Sequence, residues 1–210
     1  MRNDRDHDHS FSTMPNSFEE AARWSARFEA PERDAWQLPE LVVATTLGAA
    51  SHDGLILVDL GAGTGYFAIR FAKALPAGTV VAADIESSLL QWTDRRAAQE
   101  GLTNLVTHQS TILGPAWPDS KPKADIVSLC NTYHHIGTRP AWFSAVREMA
   151  KPDARLVIID FTPASTRGPP PNHKLPAETV ISELHEAGWR LDASHDFLPD
   201  QYFLVFRKAP

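Results

Sequence analysis

Apolar positions along the chain change period several times, and each change predicts an element. Phe18, Ala21, Ala22, Ser25 and Phe28 fall on one helical face, and Ser17-Phe18-Glu19-Glu20 in front of them has the spacing of a capping box. Pro31 predicts a break, and the stretch after Pro39 reads as a second helix. "LILVDL" (55–60) carries no polar alternation, as expected of a strand buried on both faces. Helical spacing follows from Gly65 to Leu75, then a strand at 79–84, then a helix from Ser88 to Glu100 closed by Gly101. Strands are predicted at 104–109, 124–130 and 155–161. A helix marked by Trp142, Phe143, Val146 and Met149 stands before the last of these, and one marked by Val180, Ile181, Leu184 and Ala187 follows it. Two closing strands, near 189–197 and 201–207, are separated only by a short turn at Pro199-Asp200.

Strands that alternate with helices predict a mainly parallel sheet covered on both sides. The last two strands are too close for a helical crossover, so they must form an antiparallel hairpin. The expected fold is a three-layer, Rossmann-like α/β sandwich with seven strands and a reversed edge strand in that hairpin. The expected organisation is a disordered tail over 1–16, an N-terminal helical cap over 17–50, and one domain over 51–210. Asp6-His7-Asp8-His9 in the tail reads as solvated, because nothing nearby fixes these side chains as ligands.

Composition narrows the function classes. Of 210 residues 43% are hydrophobic and 22% charged, which suits a globular domain with a packed core. The net charge of −6, with no basic cluster, argues against nucleic acid as the main partner. Cys130 is the single cysteine, which excludes an intramolecular disulfide and a thiolate metal cluster, and no metal is expected. The polar start "MRNDRDHDHS" does not resemble a signal peptide, and no apolar run is long enough to span a membrane. The expected setting is the cytoplasm.

The candidate chemistry begins at "LVDLGAGTGYF" (57–67). A phosphate-binding P-loop needs Lys-Ser or Lys-Thr after its last glycine, and here Tyr66 and Phe67 follow. A dinucleotide loop needs its third glycine at the position of Tyr66. Instead the glycines are Gly61, Gly63 and Gly65, with Asp59 two residues before the first. An acid that close disfavours a pyrophosphate and suits an amino group. Asp84 ends the next strand about twenty residues on, where a carboxylate accepts both hydroxyls of an unphosphorylated ribose. An amino acid joined to an unphosphorylated nucleoside describes S-adenosylmethionine (SAM).

"VDLGAGTGYF", "VVAADIE" and "KPDARLVIIDF" resemble motif I, the acidic second-strand motif and the fifth-strand motif of class I SAM-dependent methyltransferases. The resemblance covers about 55–208 and is nearest to small-molecule enzymes of the ubiquinone/menaquinone type. It implies that Gly61 to Gly65 hold the methionine end and Asp84 the ribose, with Ile85 and Asn131 as further cofactor contacts. The family often carries an acid for the adenine amino group after the third strand. Here that stretch is Gln109-Ser110-Thr111-Ile112, so Ser110 and Thr111 are the candidate adenine contacts.

Ligands of open α/β sheets lie beyond the carboxyl ends of the strands. Tyr133, His134 and His135, after the fourth strand, are therefore the candidate catalytic residues. An oxygen or nitrogen acceptor must lose a proton, and imidazole accepts one near neutral pH. As sequence neighbours, the two histidines are expected to point in different directions. The loop 162–176, with His173, reads as a lid or a stiff surface connection. The expected activity is methyl transfer from SAM to a small organic molecule at oxygen, nitrogen or carbon. The alternatives are a non-catalytic SAM-binding module and an NAD-dependent oxidoreductase; oligomeric state is not legible.

Overall fold

Seven strands form a single sheet in the order β3-β2-β1-β4-β5-β7-β6: β1 Ile56–Leu60, β2 Thr79–Asp84, β3 Leu105–Gln109, β4 Ala124–Cys130, β5 Ala150–Phe161, β6 Trp189–His195 and β7 Gln201–Lys208. They belong to a computed structural model that describes residues 18–49 and 52–210. The predicted tail and the Ser17 cap lie outside those residues. β1 to β5 pair in parallel, and β7 runs antiparallel to both β5 and β6. The reversed strand thus belongs to the closing hairpin, as expected. Within the hairpin it is β7, one place inside the edge, and β6 forms the border.

Alternation along the buried strands builds two cores. Val58, Leu60, Val127, Leu129, Leu156 and Ile158 pack with α6 (Arg139–Met149) and α7 (Ala177–Glu186) through Phe143, Val146, Val180 and Leu184. Leu57, Val80, Ile126, Val157 and Ile159 face the other way, onto α3 (Pro39–Leu47) and α4 (Tyr66–Ala74). Helix α5 (Ser87–Gln99) lies outside β2 and β3 on that side. The near-continuous apolar reading of the strands follows from this double coverage.

The N-terminal segment holds one more helix than predicted. α1 (Phe18–Phe28) and α3 are joined by α2 (Pro31–Gln37), where the sequence reading placed a break. Pro31 starts this helix because the first turn leaves its amide without an intrahelical partner anyway. Three polar links hold the segment on the sheet domain. Glu29 pairs with Arg96 at 2.7 Å, Asp34 accepts from the Tyr66 hydroxyl and from Arg70, and Gln37 is fully buried against Gln201. Among the described residues no helix is long and apolar enough to cross a membrane.

Candidate active site

The glycine loop follows β1 and turns sharply into α4. All three glycines adopt positive φ, at 73°, 57° and 85°. A Cβ on Gly61 would stand 2.3 Å from Thr132, and one on Gly65 2.9 Å from Thr93. Those two glycines serve close packing. Gly63 differs, because the nearest atom to its added Cβ is the Phe28 ring at 3.9 Å. The space beside it is open, with the Phe28 ring of α1 as its nearest neighbour.

Asp84 sits at the bottom of this loop, 6% exposed. One carboxylate oxygen accepts from the Gly63 amide at 2.8 Å and the other from the Glu86 amide at 3.0 Å. A carboxylate has about four acceptor positions, so capacity remains for ribose hydroxyls. Burial pushes its acidity toward the neutral form, while the Glu86, Gly63 and Ile85 amides oppose the shift. Ile85 continues from it, and its carbonyl accepts from the Gln109 side chain at 3.3 Å. The Ser110 amide donates to the Asp84 carbonyl at 2.9 Å, which sets Ser110 beside Asp84. Thr111 is exposed, and its hydroxyl is used locally on the Gly114 carbonyl.

Asp59 is 2% exposed and is held by the Ala68 backbone. Burial raises its pKa to about 7, with Arg33 opposing the shift and Asp84 adding to it. A carboxyl whose folded pKa lies above its unfolded value binds its proton more tightly in the native state. Its contribution to stability is complete below about pH 4 and is lost as pH rises to about 7. Asp59→Asn should remove that loss. Denaturation of both proteins from pH 5 to pH 8 should show the variant gaining on the wild type as pH rises. A difference that stays constant across the range would contradict this assignment.

The sequence after β4 divides its three candidates. Tyr133–His135 form one short 3-10 turn. Tyr133 is fully buried, stacked on Phe143, and donates its hydroxyl to Glu183 of α7 at 2.7 Å. Arg139 closes on the same carboxylate at 2.6 and 2.9 Å. Tyr133 therefore anchors the core and is withdrawn as a catalytic candidate, because its ring completes the apolar layer beneath α6.

His134 takes the opposite course. Its Nδ1 lies 2.9 Å from both oxygens of Asp160, and its backbone amide donates to Asp160 at 3.1 Å. The Phe161 amide donates to the other Asp160 oxygen at 2.8 Å. Both side chains are nearly buried, at 6% and 3% exposure. With Asp160 accepting from Nδ1–H, the Nε2 atom keeps its lone pair. The sequence reading expected His135 to point away from His134, and it does not. The two rings lie 4.1 Å apart at an interplanar angle of 43°. Burial lowers the His135 pKa to about 4, and His134 and His173 push in the same direction.

Asn131, at positive φ, spends its side-chain amide on Gln37 and Gln201. It supports the site's frame and does not face the cleft as a free cofactor contact. The loop 162–176 is tied down by Asp200, which accepts from the Ser165 hydroxyl at 2.9 Å and from Arg167 at 3.1 Å. Its Arg167 stands over the Trp36 ring at 5.6 Å, joining the loop to α2.

Sequence reasoning missed Asp160, Arg33, Gln37 and Gln201. The signal for Asp160 was present, since it ends an apolar strand as Asp84 does. No comparable signal marked the other three.

Residues 58–156 match the family model described as a methyltransferase domain. The fold is similar to that of a SAM-dependent methyltransferase from Aquifex aeolicus, with a TM-score of 0.79 and 22% identity over 92% of this chain and 99% of that one. It is also similar to magnesium protoporphyrin IX methyltransferase from Synechocystis PCC 6803 with bound SAH, with a TM-score of 0.63 and 18% identity over 83% and 84% of the two chains. The [4+2]-cyclase SpnF shares the fold at a TM-score of 0.69 and 16% identity, over 83% and 81%. Identities this low establish architecture, and the domain match locates the methyltransferase likeness in the glycine-loop half of the sheet. Residues 58–156 match a methyltransferase domain, and the whole fold is the one seen in SAM-dependent methyltransferases.

Proposed function

We propose that the protein transfers a methyl group from SAM to an oxygen, nitrogen or carbon atom of a small organic molecule. The observation that carries the catalytic part is the two-pronged contact of Asp160 with His134 Nδ1. It holds the imidazole in the tautomer whose Nε2 accepts a proton. Thr132, two residues before it, packs on Gly61, so the glycine loop and the dyad share one cleft.

The residues present fit the cofactor. Gly63 leaves a cradle that a side chain would fill, and Asp84 keeps acceptor capacity below it. Asp84 holds the ribose, Gly61 to Gly65 the methionine end, and Ile85, Ser110 and Thr111 the adenine side. When bound, SAM supplies a methyl group already activated by its sulfonium. The protein's part is alignment and removal of a proton from the acceptor. His135, kept neutral by burial, lines the same spot without adding charge. The acidic net charge and the small-molecule substrate named for the Synechocystis neighbour support a small acceptor over nucleic acid.

A non-catalytic SAM-binding module is the competing reading, and the buried His134–Asp160 pair disfavours it. A carboxylate and imidazole buried together are costly to retain without use. Titration calorimetry should show SAM and S-adenosylhomocysteine (SAH) binding, with no comparable binding of NAD or ATP. Tight binding of NAD with none of SAM would overturn the proposal.

A further inference from the structure

We infer that Arg33 selects for the amino-acid end of the cofactor, and that a closed ring of three amides holds it in position. The inference rests on the SAM reading above and adds a specificity residue from outside the matched domain. Arg33 projects from α2, and its guanidinium lies 3.7 Å from the Tyr66 ring centroid. Its Nη1 donates to the Phe28 carbonyl at 2.8 Å, and Nε and Nη2 lean on Gln37 Oε1 at 3.4 and 3.3 Å. Three of its five N–H groups are thereby directed at oxygen, and the guanidinium also meets the Cys130 thiol, a weak acceptor.

Among the described residues, no carboxylate lies within ion-pair distance of this guanidinium. A cation taken out of water without a countercharge is costly. Asp59 is close enough to feel it, yet burial drives Asp59 toward its neutral form. A ligand that brings a carboxylate and an ammonium together resolves both problems. The carboxylate pairs with Arg33, and the ammonium restores charge to Asp59. The placement agrees, because Phe28, whose carbonyl Arg33 holds, is the residue nearest the open space beside Gly63.

The amide ring explains why Arg33 stays there. Gln37 Nε2 donates to Gln201 Oε1 at 2.5 Å, Gln201 Nε2 donates to Asn131 Oδ1, and Asn131 Nδ2 donates to Gln37 Oε1 at 3.3 Å. Gln37 is fully buried and Gln201 is 2% exposed. Because each amide donates to the next, the cycle fixes every flip, and it presents the oxygen of Gln37 to Arg33. The opposite flip would set an amide NH₂ against a guanidinium. The ring also fastens α2 to the end of β4 and the start of β7. Gln37, Asn131 and Gln201 are positioning residues.

Two ligands separate this role from a general scaffold role. SAH carries the amino acid; 5′-methylthioadenosine keeps the nucleoside and thioether and lacks it. By calorimetry, Arg33→Met should weaken SAH by about 10- to 100-fold, as loss of a charged hydrogen-bonding partner does. Binding of 5′-methylthioadenosine should stay within about twofold, which also shows that the variant is folded. Arg33→Lys should fall between, since an ammonium lacks the planar fork. Gln201→Leu should shift the ratio of the two affinities in the same direction, by less. Equal losses for both ligands, or no loss for SAH, would overturn the role of Arg33. Wild-type protein that binds neither ligand would overturn the SAM reading itself.

Discussion

Gly63→Val should lower SAH affinity by about 100-fold while the protein remains folded. The wild-type glycine leaves open space where the Cβ would stand, with only the Phe28 ring near at 3.9 Å. Branched methyl groups there fill the cradle itself. The loop cannot retreat, because Gly61 is wedged against Thr132 and Gly65 against Thr93. Overpacking of a confined site costs about 1–3 kcal/mol, and the upper end applies where neighbours cannot move. A valine at φ of 57° adds backbone strain of about 1–2 kcal/mol, which acts on stability. The two effects are separable by measuring thermal melting and calorimetric binding on one preparation. A lowered melting temperature with unchanged SAH affinity would show that Gly63 does not face the ligand.

His134→Ala should reduce turnover by about 10²–10⁴-fold, the range for a positioned general base, with SAH binding nearly unchanged. Asp160→Asn should follow it. An amide can present NH₂ to Nδ1 and turn the imidazole to the wrong tautomer, and its single oxygen can serve only one of the Phe161 and His134 amides, which use different Asp160 oxygens. An acceptor carbon that is already electron-rich would lose little in either variant, so the pair also reports on the acceptor atom. If both variants keep full activity toward an oxygen acceptor and differ only in melting temperature, the dyad is structural.

How far the site was legible depended on whether a residue's setting is local. Gly61, Gly63, Gly65 and Asp59 lie within one turn, so their spacing in the chain is nearly their spacing in space. Asp84 was readable because a strand running parallel to β1 must end beside the loop. The His134–Asp160 contact was not readable, although both residues stood at visible strand ends. It depends on the register of β4 with β5, which pairs Cys130 with Ile159 and so sets Asp160 under the turn after β4. Tyr133 and His134 look equally placed in sequence. Only the 3-10 turn sends one into the core and holds the other on Asp160.

The apolar pattern by itself determined the α/β architecture, the closing hairpin and the place of the glycine loop, because burial on both faces leaves strands with few polar positions. It did not reveal α2. That helix buries Gln37 and much of Arg33, and "PERDAWQ" has no apolar stripe for a periodicity to find. Its stability comes from contacts far along the chain, with Tyr66, Asn131 and Gln201. Apolar burial leaves its trace in local spacing, whereas a buried polar group is satisfied by whichever distant partner the fold delivers. Only the tertiary structure decided which polar residues frame the cleft.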